Sequence, residues 1–167
     1  MKEVVDKLKK LNKTVATMES CTGGFVASSI TDVEGASDVL KFSAVTYSND
    51  YKVKMGVSKK VIDKYSVYSH EVARQMAYNI SLFSSSDYGI GITGKINRID
   101  KNNLSGDDNQ VFYCIYDKDN NIYYDFSLRC ISGTRHENKE YIVNDIKGNF
   151  INIMEAVYEY KKSKNIF

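Results

Sequence analysis

Apolar positions recur along this chain with two different periods, and each switch between them marks an element boundary. Val4, Leu8 and Leu11 share one face at helical spacing, so residues 1–11 predict an amphipathic helix. Thr14-Val-Ala-Thr-Met18 has the β-branched character of a buried strand and runs directly into the polar turn Glu19-Ser-Cys-Thr-Gly-Gly24. Phe25, Val26 and Ile30 return to helical spacing, which predicts a helix opening near Gly23. Residues 39–48 predict a second strand, after which Ser48-Asn49-Asp50 offers capping oxygens to a short helix carrying Tyr51 and Lys52. Another short helix is expected from Ser58 to Tyr65. A longer one starts at Ser69, with Glu71 in its first turn, and is expected to bury Val72, Met76, Ile80 and Phe83.

Residues 87–93 read as a strand, and its two glycines, Gly89 and Gly91, imply that another backbone or a ligand approaches closely. Residues 95–109 are polar and aperiodic, the one long loop of the chain, and loops of that length are functional or mobile. Val111–Tyr116 and Ile122–Ile131 predict a hairpin around Asp117-Lys-Asp-Asn-Asn121. Ile142, Ile146, Phe150, Ile153, Val157 and Tyr160 predict a helix over about 136–162. This order predicts an α/β (or α+β) chain, a single-domain three-layer α/β/α sandwich over residues 1–167 with a central mixed sheet.

Composition narrows the function classes more than it selects one. A chain of 167 residues can bury a sizeable core, and a net charge of +2 favours no particular partner. Lys161, Lys162 and Lys164 read as a solvated helix end, and the 13 tyrosines fall in no RNA-binding signature, so no nucleic-acid partner is expected. Cys21, Cys114 and Cys130 lack metal-ligand spacing, and an odd number of cysteines fits a reducing compartment. Neither a signal peptide nor an apolar run of ~18 residues is present, so the expected location is cytoplasmic, away from any membrane.

The candidate chemistry lies in the turn after the first strand. A helix N-terminus carries unpaired N–H groups and partial positive charge, which suit a phosphate or a developing oxyanion. Glu19, Ser20, Cys21 and Thr22 would put nucleophiles and donors at that mouth, and Gly23 and Gly24 would let a ligand approach the backbone. A serine needs a neighbouring base, and a lysine can serve if desolvation or nearby positive charge lowers its pKa. Cys21 is a rival nucleophile, because a helix N-terminus can also activate a thiol. Gly89-Ile-Gly-Ile-Thr-Gly94 matches the dinucleotide G-x-G-x-x-G pattern, and with Lys95 it nearly matches a phosphate loop. Both patterns require a helix directly after the glycines, where this chain has a polar loop.

Glu19-Ser-Cys-Thr-Gly-Gly24 is followed by Thr31-Asp-Val-x-Gly-x-Ser37, Val45-Thr-Tyr-Ser-Asn49 with Lys52, and Gly56-Val57. Ser69-x-x-Val-Ala-x-x-Met-Ala77 and Ile92-Thr-Gly94 complete the series. In this order and at these spacings the chain resembles the CinA C-terminal domain family, whose characterised members are nicotinamide mononucleotide (NMN) deamidases. The resemblance implies hydrolysis of the NMN carboxamide to nicotinate mononucleotide and ammonia, in pyridine nucleotide salvage, with neither metal nor cofactor. By position it implies Ser20 as nucleophile, Lys52 as general base and Tyr47 as a positioning or proton-relay residue. Thr22, Gly23 and Gly24 would supply backbone N–H groups, and Glu19 could bind backbone or the substrate ribose, or pair with Lys52. Thr93 would line the pocket and Arg135 could meet the phosphate.

The expected partner is therefore a small-molecule nucleotide, and the expected assembly is a homo-oligomer, either dimer or trimer. After Ile92-Thr-Gly94 the family continues with a Gly/Pro-rich loop, whereas this chain has Lys95-Ile-Asn97 and no proline up to Asn109. That change at the pocket rim favours an alternative, a CinA-like nucleotide- or partner-binding domain with little catalysis. Retention of Ser20, Tyr47 and Lys52 favours the enzyme.

Overall fold

The computed structural model describes residues 1–97, 101, 104, 106–131 and 133–166. Much of the expected 95–109 loop therefore lies outside the described residues, as does Ser132. The elements run α1 (Lys2–Lys10), β1 (Val15–Glu19), α2 (Phe25–Thr31), a 3-10 turn (Ala36–Asp38), β2 (Leu40–Val45), α3 (Asn49–Lys54) and α4 (Lys59–Tyr65). They continue through α5 (His70–Ser84), β3 (Tyr88–Gly94), β4 (Gln110–Asp117), β5 (Ile122–Arg129) and α6 (Arg135–Ser163). The five strands form one sheet in the order β2-β1-β3-β4-β5. The first three are parallel, and the β4–β5 hairpin adds two antiparallel strands, so the sheet is mixed.

Alternation along the strands sorts the core into two layers. Val15, Ile90, Ile92, Val111, Tyr113 and Ile115 face α1, α2 and α6, whose Val4, Leu8, Val26, Ile146 and Phe150 complete that layer. Ala16 and Met18 face the other way, onto Val72, Met76 and Ile80 of α5. Gly89 and Gly91 also face α5, whose backbone comes so close that a β-carbon would lie 1.9 Å from the Ala77 carbonyl or 2.3 Å from that of Ala73. The ligand-like glycine pattern is thus a helix–sheet contact.

Local signals account for most helix ends. The Ser69 side chain accepts from Val72 N, and Thr134 and Glu137 form a reciprocal capping box at the start of α6. Helix α2 starts at Phe25, two residues later than its spacing predicts, because Gly23 (φ 63°) and Gly24 (φ 93°) adopt left-handed backbone. One expected core residue lies at the surface: Phe83 is exposed and touches the ring of Phe42. On α6 the helical spacing runs out to Tyr160, but Met154 is the last buried residue.

The connections fix where a ligand can reach. From β1 the chain crosses over α2 to β2 on one side, and from β2 it returns over α3–α5 to β3 on the other. Helices on opposite faces part above the carboxyl end of β1, the topological switch point where open α/β sheets bind ligands. Ser20 is the first residue beyond that end.

Candidate active site

The turn leaving β1 is held from inside by Glu19, which is fully buried. Its Oε2 accepts from Thr22 Oγ1 (2.6 Å), Gly24 N (3.1 Å) and Val26 N (3.1 Å), and its Oε1 from Ala27 N (2.9 Å) and Thr17 Oγ1 (3.3 Å). Gly24, the N-cap position of α2, has no side chain to satisfy the first-turn N–H groups, so the carboxylate one turn upstream does so. The anion expected at the mouth of α2 is therefore the protein's own. Glu19 thus binds backbone, one of the roles expected of it, while two expectations are corrected: Gly24 N–H is taken by this carboxylate, and Gly23 N donates to Ser20 O at 3.0 Å. The amides of Cys21 and Thr22, in the same turn, have no acceptor among the described residues.

Replacing Glu19 by Gln, which keeps the shape but adds a donor among donors, should destabilise the fold by about 2–3 kcal/mol. Urea unfolding monitored by circular dichroism would measure this. An unchanged midpoint would mean that the α2 cap is dispensable.

Lys52 reaches the turn from α3, a six-residue helix whose N-cap, Ser48, accepts from Tyr51 N. Its side chain runs inward and is only 1% exposed. Nζ donates to Ser20 Oγ at 2.9 Å and to the Thr46 carbonyl at 2.7 Å. Ser20 is itself 6% exposed, so the pair meets largely out of water. Thr46 joins the strands here, since its N–H donates to Glu19 O at 2.8 Å. Its hydroxyl is buried and meets no hydrogen-bond partner among the described residues.

The other expected site residues are placed differently. Tyr47 is 65% exposed, and no hydrogen bond links it to Ser20 or Lys52 among the described residues. Alternation along the end of β2 turns Thr46 inward and Tyr47 outward. Thr93 is buried with its hydroxyl bonded to Val67 O at 2.9 Å, so it anchors the chain entering α5 rather than lining open space. Arg135 lies at the surface, and its guanidinium donates to Ile96 O. Lys139, which no motif marks, brings Nζ to 3.5 Å from where a Gly23 β-carbon would stand, so a second cation overhangs the turn. The internal position of Lys139 on α6 carries no sequence signal for this role.

Cys21, the rival nucleophile, is free and buried. Burial, reinforced by nearby Cys130 and opposed by Lys52, pushes its thiol up to about 12. A buried apolar setting makes a thiol inert. Among the described residues no group of three or more His, Cys, Asp or Glu side chains could hold a metal ion, and no helix is long and apolar enough to cross a membrane.

A family profile described as the CinA C-terminal domain matches residues 1–143. A competence-damage inducible protein of Thermoanaerobacter pseudethanolicus is 48% identical over 96 residues, covering 56% of this chain and 23% of that protein. A CinA-like protein of Kosmotoga olearia is 45% identical over 92 residues, covering 54% and 22%. The chain spans about a quarter of the length of these relatives. The crystal structure of a CinA superfamily protein from Klebsiella pneumoniae superposes with a TM-score of 0.85 at 17% identity, over 93% of this chain and 95% of that one. The protein CihA from Agrobacterium tumefaciens gives 0.78 at 24% identity, over 93% and 92%. These two structures share the fold.

Proposed function

The chain belongs to the CinA C-terminal domain family, and from that membership and the geometry of its buried Ser20–Lys52 pair we propose that it is a metal-independent amidohydrolase. Its substrate in this reading is NMN, and its products are nicotinate mononucleotide and ammonia. The observation that carries the reading is the 2.9 Å hydrogen bond between Lys52 Nζ and Ser20 Oγ, buried at the carboxyl end of β1.

In its uncharged form Lys52 accepts the Ser20 proton as Oγ attacks the carboxamide carbon, forming a C–O bond. The carbonyl π electrons move to oxygen, and the amides of Cys21 and Thr22, which meet no acceptor among the described residues, would donate to that oxyanion. Collapse expels the amine, which takes the proton from the Lys52 ammonium and leaves as ammonia. A water then attacks the acyl-serine, giving its proton to Lys52, and the carboxylic acid departs as Ser20 recovers its hydrogen. The Thr46 carbonyl, at 2.7 Å, holds Nζ in line for both proton transfers.

Incubating the protein with NMN should release ammonia and nicotinate mononucleotide in equal amounts, at the same rate with and without EDTA. NMN that binds without ammonia release would reduce the chain to a nucleotide-binding domain. Loss of rate in EDTA would assign the hydrolysis to a metal rather than to Lys52.

A further inference from the structure

Lys95 is the first residue of the stretch that departs from the family's Gly/Pro-rich continuation after Ile92-Thr-Gly94, and its side chain is only 1% exposed. An ammonium taken out of water costs several kcal/mol unless it is well paired. Here the pairing is weak. Nζ lies 3.4 Å from Asp108 Oδ1, whose side chain is 45% exposed, and 5.1 Å from the centroid of the Tyr68 ring. An ammonium has three N–H bonds, and among the described residues Asp108 is the one hydrogen-bond acceptor that Lys95 Nζ meets.

Its position relates it to the site above. The β1–β3 ladder pairs Ala16 with Gly89 and Met18 with Gly91, and these residues face α5. The same offset extended by one pleat puts Ser20 beside Thr93, and alternation puts Thr93 and Lys95 on that face. Thr93 grips Val67 O, which brings the next residue, Tyr68, under Lys95. Two strand residues span roughly 7 Å, so the cation stands about that far beyond the level of Ser20.

We propose that Lys95, over Tyr68, is a specificity residue that receives a phosphomonoester on the substrate, with Asp108 as the displaceable counterion in its place. The phosphate oxygens would fill the two donor positions left open on Nζ and exchange a long ion pair for short charge-assisted bonds. The aromatic face below steadies the cation without competing as an acceptor. The identity of the amide substrate rests on the deamidase reading, whereas the anion subsite does not.

The test pairs activity with direct binding. Lys95→Met should raise KM for NMN by ~30-fold with kcat within about threefold. Its penalty in kcat/KM should be ~30-fold greater on NMN than on the dephosphorylated nicotinamide riboside. In calorimetry, inorganic phosphate should bind the wild type, bind Asp108→Asn several-fold tighter, and fail to bind Lys95→Met. Lys95→Arg, which keeps the charge, should restore most of the phosphate binding. Equal penalties on the two amides, or phosphate binding unaffected by Lys95→Met, would overturn the proposal. If wild type hydrolyses neither amide, the deamidase reading falls, and the phosphate titration of wild type and Asp108→Asn still decides the subsite. No phosphate binding by either protein would end it.

Discussion

Ser20→Ala should lower ammonia release from NMN by ~10⁴-fold or more while leaving the Kd for NMN within a few fold. The first effect follows because the bond-forming oxygen is gone, and a loss of that size is ordinary for a covalent nucleophile. The second follows because Ser20 Oγ is one small group, and the phosphate contact proposed for Lys95 lies on another element. Binding by calorimetry and an endpoint ammonia assay on both proteins measure the two quantities. Equal release from both would remove Ser20 from the chemistry and point to its neighbour, Cys21. That thiol is held at about 12, so at pH 8 roughly one part in 10⁴ is thiolate. Iodoacetamide at neutral pH should therefore leave wild-type turnover intact.

Lys52→Met should lower kcat by ~10³-fold, within the range expected for removing a general base. Methionine approximates the length and apolar stem of lysine, so the pocket stays filled while the base is lost. The sign of the pH dependence follows from the role. A lysine accepts a proton only when uncharged, so wild-type kcat/KM should rise with pH through the folded-state pKa of Lys52. In Lys52→Met the residual rate should lose that rising limb. A variant that keeps both near wild-type turnover and the limb would show that Lys52 serves only to hold Ser20 in place.

The site was legible in the sequence to an unequal degree. Glu19 to Gly24 stands out because a β-branched strand meeting a polar, glycine-bearing turn is a local pattern, written in consecutive residues. Lys52 stands out only through family spacing, since a lysine on a short helix has no local sign of burial. Its contact with Ser20 spans 32 positions. Tyr47 shows the opposite failure: it sits in the same motif, yet strand alternation turns it to solvent beside the inward Thr46. Lys95 and Asp108 sit in a stretch whose polarity reads as a loop, and nothing local tells a solvated lysine from a buried one.

By itself the sequence determined the period of each segment, hence the type of nearly every element, the mixed α/β class and the polar turn after β1 as the candidate site. Those properties depend on residues within a few positions of each other, where backbone geometry couples directly to side-chain spacing. Only the tertiary structure decided which polar groups satisfy one another. It placed the Glu19 carboxylate on α2, occupying the mouth expected to receive a substrate anion, and Gly89 and Gly91 against α5 rather than a nucleotide. It also brought Lys52 onto Ser20 and left Lys95 buried with, among the described residues, one long ion pair. A buried donor or charge is stabilised by whichever acceptor the fold delivers, and that acceptor comes from strands and helices distant in the chain.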